Sequence, residues 1–293
     1  MREITRRTFL QTGSLTALAL AAAKLFADPL GLPVGLQLYS VRTLLPKDYA
    51  GTLKQLPAIG YREVEAAGFF GHSADEAKQA MANAGLNCVS AHYPLAALLK
   101  DVDGTLQFAK TLGLKYVICS SPSIADPSKM SKGYVLSLDD WRWNAEQFNQ
   151  LGKHFKNEGI RFGYHNHTGE FHDLGDTYGF DVLLKNTDPS YVTFEMDCGW
   201  VSAAGKDPVT YLNQYPDRIS MLHIKDLKPA IAGRTPGERV STVLGKGTID
   251  YKKIFDAAQK GRIKHYFVEQ EEFDGDPFEE LKEDYEYLHA IAG

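Results

Sequence analysis

The chain has 293 residues, of which 44% are hydrophobic and 24% are charged, and its formal net charge is −5. This composition is ordinary for one large globular domain, and no low-complexity block or linker divides the chain. The acidic balance and the lack of a basic stripe argue against binding to a nucleic-acid backbone, so we expect no nucleic-acid partner.

The first 27 residues differ in character from the rest. The segment Thr5–Leu10, which includes Arg6 and Arg7, precedes an apolar run from Leu15 to Phe26. Positive residues before a short apolar stretch are typical of an export signal, and an arginine pair indicates the twin-arginine route. We therefore predict a signal in residues 1–27, one catalytic domain in residues 28–293, a periplasmic location and only transient membrane contact. An uncleaved membrane anchor is the alternative, although the run is short for a membrane span.

Strand and helix patterns alternate along the remainder of the chain. The predicted strands are Val34–Tyr39, Arg62–Glu65, Asn87–His92, Lys115–Cys119, Arg161–His165, Val192–Asp197, Ile219–Ile224 and Tyr266–Glu269. The predicted helices are Tyr49–Ile59, Ala74–Ala84, Asp101–Leu112, Trp141–Glu158, Thr177–Lys185, Val209–Gln214, Tyr251–Lys260 and Phe278–Ile291. Eight such units in about 260 residues predict an α/β fold of the (β/α)₈ TIM-barrel type, with a doubly wound sheet as the weaker alternative.

The carboxyl-terminal ends of the predicted strands carry a high density of polar residues. In a (β/α)₈ barrel these ends meet on one face, and the active site lies there. No single residue carries this signal, because it depends on nearly every strand ending in a group that could bind a metal or a substrate. These residues are Gln37, Tyr39, Glu65, His92, Ser120, Ser121, His165, His167, Glu195, Asp197, His223 and Glu269.

The segment Arg161–Phe171 combines a short strand with a dense group of polar residues. With the two-residue period of a strand, His165 and His167 share one face, while Phe162 and Tyr164 share the other. This pattern suits a barrel strand whose inner tip carries the chemistry. Two histidines at this spacing are only a moderate metal signal on their own, and a histidine-rich surface loop is the alternative.

Three later strands end on a carboxylate, an imidazole and a second carboxylate. Asp197, His223 and Glu269 would converge from adjacent strands and form a mixed oxygen and nitrogen site for a divalent cation such as Mn²⁺, Mg²⁺, Co²⁺ or Zn²⁺. Each residue has a structural alternative. Asp197 could cap the next helix, His223 could be a buried core histidine, and Glu269 could pair with Lys225 alone.

Several motifs in these last strands resemble one family. The motifs are His223-Ile224-Lys225-Asp226, the turn Leu244–Asp250, and Val268-Glu269. From Val34 to Ala292 the chain resembles the xylose-isomerase-like barrel superfamily, which includes sugar isomerases and epimerases, inosose dehydratases and barrel-type apurinic endonucleases. The resemblance implies one ligand from each of strands five to eight. Asp197, His223 and Glu269 match the ligands of strands six, seven and eight.

Strand five departs from the family pattern. Most epimerases of the family have a glutamate at the position of His165, and that glutamate serves as both ligand and base. Either His165 replaces it, or Glu170 reaches in from the following loop. We predict Glu170 as the ligand because a carboxylate preserves the charge of the site, which leaves His165 and His167 facing the substrate. The predicted catalytic residues are Glu269, His165 and Glu170.

The remaining polar and aromatic residues of this face are predicted to contact the substrate or support the site. Trp200 follows a ligand strand and could stack on a sugar ring, or it could simply cover the core. His92 and Lys225 are plausible substrate contacts. For Glu195 we favour a structural role deeper in the barrel.

The predicted chemistry is proton abstraction next to a carbonyl group. A divalent ion, most simply Mn²⁺, would stabilise the enediolate, and a nearby base would remove the proton. The first hypothesis is an isomerase or epimerase for an unphosphorylated carbohydrate, since phosphorylated sugars are mainly cytoplasmic. A lyase of the same superfamily, either an inosose-type dehydratase or a 3-keto-glycoside eliminase, is the alternative, and a non-catalytic sugar-binding barrel is a third. A homo-oligomer is possible.

Overall fold

A computed structural model of the chain describes residues 29–129, 131 and 133–292, so the predicted export signal lies outside the described residues. Eight parallel strands close into a barrel, in which each strand pairs with its neighbours along the chain and the last pairs with the first. The predicted (β/α)₈ fold is confirmed. The strands are β1 (Val34–Gln37), β2 (Glu63–Ala66), β3 (Asn87–Pro94), β4 (Tyr116–Ser121), β5 (Arg161–His165), β6 (Val192–Asp197), β7 (Ile219–Ile224) and β8 (His265–Val268).

Helices surround the barrel and cover its outer face. Among the described residues, no helix is long and apolar enough to span a membrane. The loop after β7 contains a short antiparallel pair, Asp226–Leu227 and Ser241–Thr242. The helices are α1 (Tyr49–Ile59), α2 (Ala74–Ala84), α3 (Leu95–Lys100), α4 (Val102–Leu112), α5 (Leu138–Asn157), α6 (Gly179–Asn186), α7 (Cys198–Ala203), α8 (Pro208–Gln214), α9 (Tyr251–Ala258) and α10 (Pro277–Ile291).

Local capping signals set several helix boundaries. Helix α2 begins at Ser73, whose side chain accepts a hydrogen bond from the Glu76 amide, and Glu76 returns a bond to the Ser73 backbone. It ends at Gly85, which has a left-handed φ of 74°. Helix α5 begins three residues earlier than predicted. Ser137 and Asp140 form the same reciprocal cap there, a signal that the apolar pattern alone does not reveal.

The two faces of β5 behave as the two-residue period predicts. Phe162 and Tyr164 point outwards, and their ring centroids lie 5.6 and 4.9 Å from the ring centroid of Phe148 on α5. His165 lies on the other face of the strand. Burying an aromatic side chain of this kind contributes about 1.5–3 kcal/mol, so this packing holds β5 against α5 and fixes the direction in which His165 points.

A small apolar cluster, the apolar plug, fills the middle of the barrel. It contains Ile118, Met221 and Phe267, and it is separate from the main core between strands and helices. Glycines give these side chains room, since a Cβ on Gly35 would lie 2.4 Å from the Phe267 ring and one on Gly163 would lie 2.7 Å from Ile118. The plug closes the barrel from below, so the polar residues nearer the carboxyl-terminal end form the floor of a pocket.

Candidate metal centre and catalytic pocket

Four residues from adjacent strands bring potential ligand atoms together at the carboxyl-terminal end of the barrel. His165 ends β5, Asp197 ends β6, His223 lies near the end of β7, and Glu269 directly follows β8. One ligand atom from each of these residues lies within 4.8 Å of the others, and all four residues are buried. We call this set the donor cluster.

The spacing within the donor cluster fits one metal ion. Asp197 Oδ2 lies 4.0 Å from His165 Nε2 and 3.8 Å from His223 Nδ1, and Glu269 Oε2 lies 3.1 Å from His223 Nδ1. Two ligands that each lie about 2.1 Å from a common ion are themselves about 3.0–4.2 Å apart, depending on the angle between them. Asp197 Oδ2 is buried without a hydrogen-bond partner, although it forms an ion pair with Lys225. This oxygen and the mixed donor set suit a divalent cation.

Asp197 combines the two roles that its position in the sequence allowed. Its Oδ1 accepts a 2.7 Å hydrogen bond from the Trp200 amide and so caps helix α7. Its backbone amide donates to Asn166 Oδ1 at 3.1 Å, which ties the end of β6 to the loop after β5. The cap fixes the carboxylate and leaves Oδ2 directed into the donor cluster.

Carboxylates lie behind both imidazoles of the donor cluster. His223 Nε2 lies 2.8 Å from Glu65 Oε1, and His165 Nδ1 lies 3.2 Å from Glu195 Oε2. His92 joins the two carboxylates, since its Nε2 lies 2.7 Å from Glu65 and 2.8 Å from Glu195. A carboxylate on one ring nitrogen fixes the orientation and the tautomer of a ligand histidine, and it makes the other nitrogen a stronger ligand. Glu65, His92 and Glu195 form what we call the polar layer.

The polar layer is held together in part by hydrogen bonds to the buried carboxylate of Glu65. Ser90 Oγ donates to Glu65 Oε2 at 2.5 Å, and Gln37 Nε2 donates to Glu65 Oε1 at 2.7 Å. A buried carboxylate without such donors would be costly, so these bonds make the charge of Glu65 tolerable at this depth. Glu65 is therefore a fixed part of the barrel interior, where it can orient His223.

The pKa values of this region follow from burial and from charge pairing. Burial opposes ionisation of Glu65, but the nearby His92 and His223 outweigh it and hold the pKa of Glu65 below its usual range. Burial, together with repulsion from Glu65, raises the pKa of Glu195 to about 7. For His92 the two carboxylates outweigh burial and raise its pKa to about 9. Burial lowers the pKa of His165, which keeps this imidazole neutral, as a metal ligand must be.

Lys225 is the buried cation of the site. Its Nζ lies 2.9 Å from Glu269 Oε2, 3.2 Å from Asp197 Oδ2 and 2.5 Å from Glu271 Oε1, and it lies over the Trp200 ring, 4.2 Å from the ring centroid. Only 1% of the residue is exposed. Glu269 pairs with Lys225, as one alternative in the sequence analysis predicted. It does not pair with Lys225 alone, because it also belongs to the donor cluster. Lys225 stabilises the negative charge of the site and is not among the residues that line the pocket.

A pocket of about 480 Å³ opens above the donor cluster, and we call it the catalytic pocket. This volume lies within the usual range for a site that binds a small molecule. Three residues predicted to bind the substrate, His92, His167 and Trp200, contribute to its walls. The lining residues include His92, His165, His167, Trp200, Glu269 and Glu271.

The structure does not bring Glu170 into the donor cluster. Glu170 is buried, but its Oε1 accepts a 2.5 Å hydrogen bond from the hydroxyl of Tyr164, which is on the outward face of β5. Backbone amides of His167 and of Glu170 itself also donate to this carboxylate. Glu170 therefore organises the loop after β5, and the geometry places His165 at the strand-five position that we had assigned to Glu170.

Two residues of the site were not predicted from the sequence. Glu65 lies one layer deeper in the barrel than the ligands, and Glu271 lies two residues after Glu269. Glu65 was visible only as a polar strand end, and nothing in the sequence indicated that it faces His223 across the barrel. Glu271, which pairs with Lys225 and lines the catalytic pocket, follows Glu269 at the two-residue spacing of an extended chain. This two-residue spacing is the signal from which the position of Glu271 beside Glu269 could have been predicted.

Comparison with known proteins agrees with this architecture. The family model of the xylose isomerase-like TIM barrel matches residues 53–291. The inosose dehydratase of Geobacillus thermodenitrificans (strain NG80-2) is 26% identical over 241 residues, which is 74% of this chain and 80% of that protein. A crystal structure described as a sugar phosphate isomerase/epimerase from Parabacteroides distasonis ATCC 8503 is 30% identical, covers 88% of this chain and 97% of that chain, and has a TM-score of 0.72.

A more distant structure shares the fold. The crystal structure of the IOLI protein with a binding zinc atom is 16% identical, covers 89% of this chain and 95% of that chain, and has a TM-score of 0.62. At this level of identity the likeness concerns the fold alone. The family match extends over most of the chain and includes all four strands that carry the donor cluster. The chain therefore belongs to the xylose isomerase-like TIM barrel family.

Proposed function

We propose that this protein is a divalent-metal-dependent lyase that removes a proton next to a ketone of an unphosphorylated cyclic polyol and expels the substituent on the neighbouring carbon. The observation that carries this proposal is the donor cluster at the floor of the catalytic pocket. The inosose dehydratase relative supports elimination, the alternative in the sequence analysis, better than isomerisation, which was the first hypothesis. Inosose is itself a ketone of a cyclic polyol.

The residues of the donor cluster would hold the ion in defined ways. His223 would bind through Nδ1, since Nε2 faces Glu65, and His165 would bind through Nε2, since Nδ1 faces Glu195. Asp197 would bind through Oδ2, which has no hydrogen-bond partner and pairs with Lys225. The bound ion would supply Lewis-acid stabilisation of the enediolate oxygen. Mn²⁺ remains our first choice, with Zn²⁺, Co²⁺ and Mg²⁺ as alternatives.

We assign the base to His167, although the sequence analysis predicts Glu269, His165 and Glu170 as the catalytic residues. His165 and Glu269 would use their lone pairs on the metal, and Glu170 is held by Tyr164. His167 is exposed and lines the catalytic pocket, with its ring centroid 4.8 Å from that of His165. A base in this position would lie next to the carbonyl that the ion activates.

The charge of the pocket supports an unphosphorylated substrate. The described residues that line the catalytic pocket include three histidines and two glutamates but neither lysine nor arginine. Lys225, the nearest buried cation, already pairs with three carboxylates. A phosphate group prefers arginine or lysine partners, so a phosphorylated sugar would find little to neutralise it here.

An isomerase or epimerase is the second candidate. The structure from Parabacteroides distasonis, which is described with that activity, favours it. The first step would be the same proton abstraction, and the difference would lie in whether a substituent leaves or the proton returns. The donor cluster serves both reactions, so product analysis must separate them.

The test is a reaction of the metal-loaded protein in heavy water with an inosose and with a methyl 3-keto-glucoside. We expect an unsaturated ketone to form only when a divalent ion is present. His167→Ala should keep the metal and lose about 10²–10⁴-fold in kcat, whereas the surface variant His154→Ala should match the wild type. Deuterium exchange without elimination would favour the isomerase or epimerase. If neither exchange nor elimination occurs with any divalent ion, both candidates are ruled out.

A further inference from the structure

Tyr39 lines the catalytic pocket, yet neither the donor cluster nor the proposed base makes use of it. It lies in a single turn of 3₁₀ helix, Leu38–Val41, which directly follows β1. The residue is 40% exposed, although most tyrosine, phenylalanine and tryptophan residues of the described chain are buried or half-buried. A phenol at the open rim of a pocket can contact a substrate through its hydroxyl and exchange its proton with water.

The backbone around Tyr39 is held at several points. The Tyr39 amide donates to Gln37 Oε1 at 3.1 Å, and Gln37 Nε2 in turn donates to Glu65 Oε1 at 2.7 Å. The hydroxyl of Ser40 accepts a 3.1 Å bond from the Gln270 amide in the segment after β8. These bonds connect the turn to the polar layer and to its neighbouring strand, so the exposed side chain projects from a rigid backbone.

Arg42 fixes the ring of Tyr39. Its Nη1 donates to the Tyr39 carbonyl at 3.0 Å, and its Nη2 donates to the Glu271 carbonyl at 3.0 Å. The guanidinium group therefore bridges the segments after β1 and β8, and its Cζ lies 4.2 Å from the centroid of the Tyr39 ring. A cation–π contact of this kind orients the ring. The fixed cation also favours the negative charge that forms on the phenolic oxygen when its proton leaves.

Tyr39 and the proposed base lie on opposite walls of the catalytic pocket. Strands β1 and β5 are four strands apart in either direction around the eight-stranded barrel. Tyr39 follows β1, His167 follows β5, and both residues line the pocket. A ring-shaped substrate bound above the donor cluster would therefore have His167 on one side and Tyr39 on the other.

Loss of water from a cyclic polyol requires two proton transfers in different directions. In an inosose with equatorial hydroxyl groups, the hydrogen beside the ketone is axial, whereas the leaving hydroxyl on the next carbon is equatorial. A general acid or base must lie within hydrogen-bond reach of the atom that it serves, so one imidazole is poorly placed for both transfers. Hydroxide is also a poor leaving group, and protonation of the departing oxygen makes this step faster.

We propose that Tyr39 is the general acid that protonates the leaving oxygen, and that Arg42 is the positioning residue that holds its ring. This inference rests on the proposed lyase function and adds a second catalytic residue to the same site. The other hydroxyl groups that line the pocket, those of Ser120 and Ser121, release a proton much less readily than a phenol does. His92 is held in the polar layer through its Nε2.

The proton transfers balance without an oxidant or a second substrate. His167 removes the proton from the carbon next to the ketone. That electron pair forms the new carbon–carbon double bond, and the bond between the neighbouring carbon and its hydroxyl oxygen breaks. The Tyr39 hydroxyl gives its proton to this oxygen, which departs as water. The phenolate then regains a proton from solvent at the exposed rim, and His167 releases its own proton to solvent, so the net change is the loss of one water molecule.

The experiment separates proton abstraction from loss of the leaving group. Tyr39→Phe removes only the phenolic hydroxyl. The substrates are an inosose and its deoxyfluoro analogue, in which fluorine replaces the leaving hydroxyl, because fluoride can depart without a proton. Tyr191→Phe is the matched control. Tyr191 also has a cation over its ring, with Lys156 Nζ 5.1 Å from the ring centroid, but it directly precedes β6 at the opposite end of the barrel.

We expect metal-loaded Tyr39→Phe to eliminate water from the inosose about 10²–10⁴-fold more slowly than the wild type. In heavy water the unreacted inosose should still exchange its hydrogen for deuterium at the wild-type rate, because His167 is intact. Elimination of fluoride and the affinity for Mn²⁺ should also be unchanged. Arg42→Leu should slow loss of water by about tenfold, again without loss of exchange. Tyr191→Phe should match the wild type in every measurement.

Each contrary result identifies what is wrong. Equal losses of exchange and of both eliminations in Tyr39→Phe would mean that Tyr39 only binds or orients the substrate. Loss of water at the wild-type rate would place the acid elsewhere, with His92 as the next candidate. Either result would overturn the assignment of Tyr39 and leave the lyase function intact, and wild-type rates in Arg42→Leu would overturn the positioning role alone. A wild-type protein that eliminates nothing would overturn the lyase function and this assignment together.

Discussion

His165 and His223 each have one ring nitrogen directed into the donor cluster and the other directed towards a carboxylate. In the metal centre that we propose, Nε2 of His165 and Nδ1 of His223 would therefore be the ligand atoms. It also explains how a histidine can occupy the strand-five position. The carboxyl group that a glutamate ligand would place at the metal lies instead one layer deeper, on Glu195 behind His165.

The first prediction concerns the ligand from strand five. His165→Ala should lower metal affinity at least tenfold, because it removes a direct ligand and leaves Glu195 without its partner. Glu170→Gln should keep the metal, since Gln can still accept the hydrogen bond from Tyr164. Titration of metal-free protein with Mn²⁺ measures both affinities. The reverse order of the two variants would restore Glu170 as the ligand.

The second prediction concerns Glu65 as a positioning residue. Glu65→Gln should lower metal affinity by about 10–100-fold, because the group that fixes the orientation of His223 loses its charge. Glu63→Gln is the matched control. Glu63 lies two residues earlier on β2 and contacts His265 Nδ1 at 2.7 Å, away from the donor cluster. If both variants bound metal equally well, Glu65 would have only a structural role.

At the scale of elements, the loop after β7 is attached to helix α10. The buried Asp284 of α10 accepts a 2.7 Å hydrogen bond from the Leu244 amide. Asp226, just after the ligand strand, accepts bonds from the amides of Gly245, Gly247 and Ile249. These contacts connect the turn that resembles the family motif to the end of β7, which carries His223.

Asp284 provides the third prediction. Burial raises its pKa from 3.8 to about 8, so the folded protein holds a proton that the unfolded chain loses near pH 4. The proton's contribution to the free energy of unfolding is fully present below about pH 4. It falls by at most about 1.4 kcal/mol per pH unit as the pH rises, and it is lost once the pH has passed through about 8. Asp284→Asn should therefore be less sensitive to pH between 5 and 9. Denaturant unfolding at several pH values measures this, and parallel curves for variant and wild type would contradict it.

Local patterns predicted most elements, and each failure has a physical cause. Helices Tyr49–Ile59 and Ala74–Ala84 have the predicted bounds, because apolar periodicity and a terminal glycine agree there. Helix α7 was missed, since it is too short to show a period and depends on the cap from Asp197. The direction of Glu170 was missed because only the tertiary structure brings it to the hydroxyl of Tyr164.

At the scale of the whole molecule, barrel closure creates contacts that no local pattern encodes. Glu65 and His223 are 158 residues apart in the chain, yet they meet across the barrel. The sequence revealed that polar residues end nearly every strand, and the fold determined that these ends share one face. The sequence did not reveal which residues form the donor cluster and which form the polar layer, because that division depends on strand register and on depth within the barrel.

The most direct test of this account is the anomalous diffraction of crystals of the protein grown with Mn²⁺. We expect one strong peak per chain, within bonding distance of His165 Nε2, Asp197 Oδ2, His223 Nδ1 and Glu269. A peak beside Glu170, a peak within the polar layer between His92 and Glu195, or no peak at saturating Mn²⁺ would contradict the assignment of the metal centre.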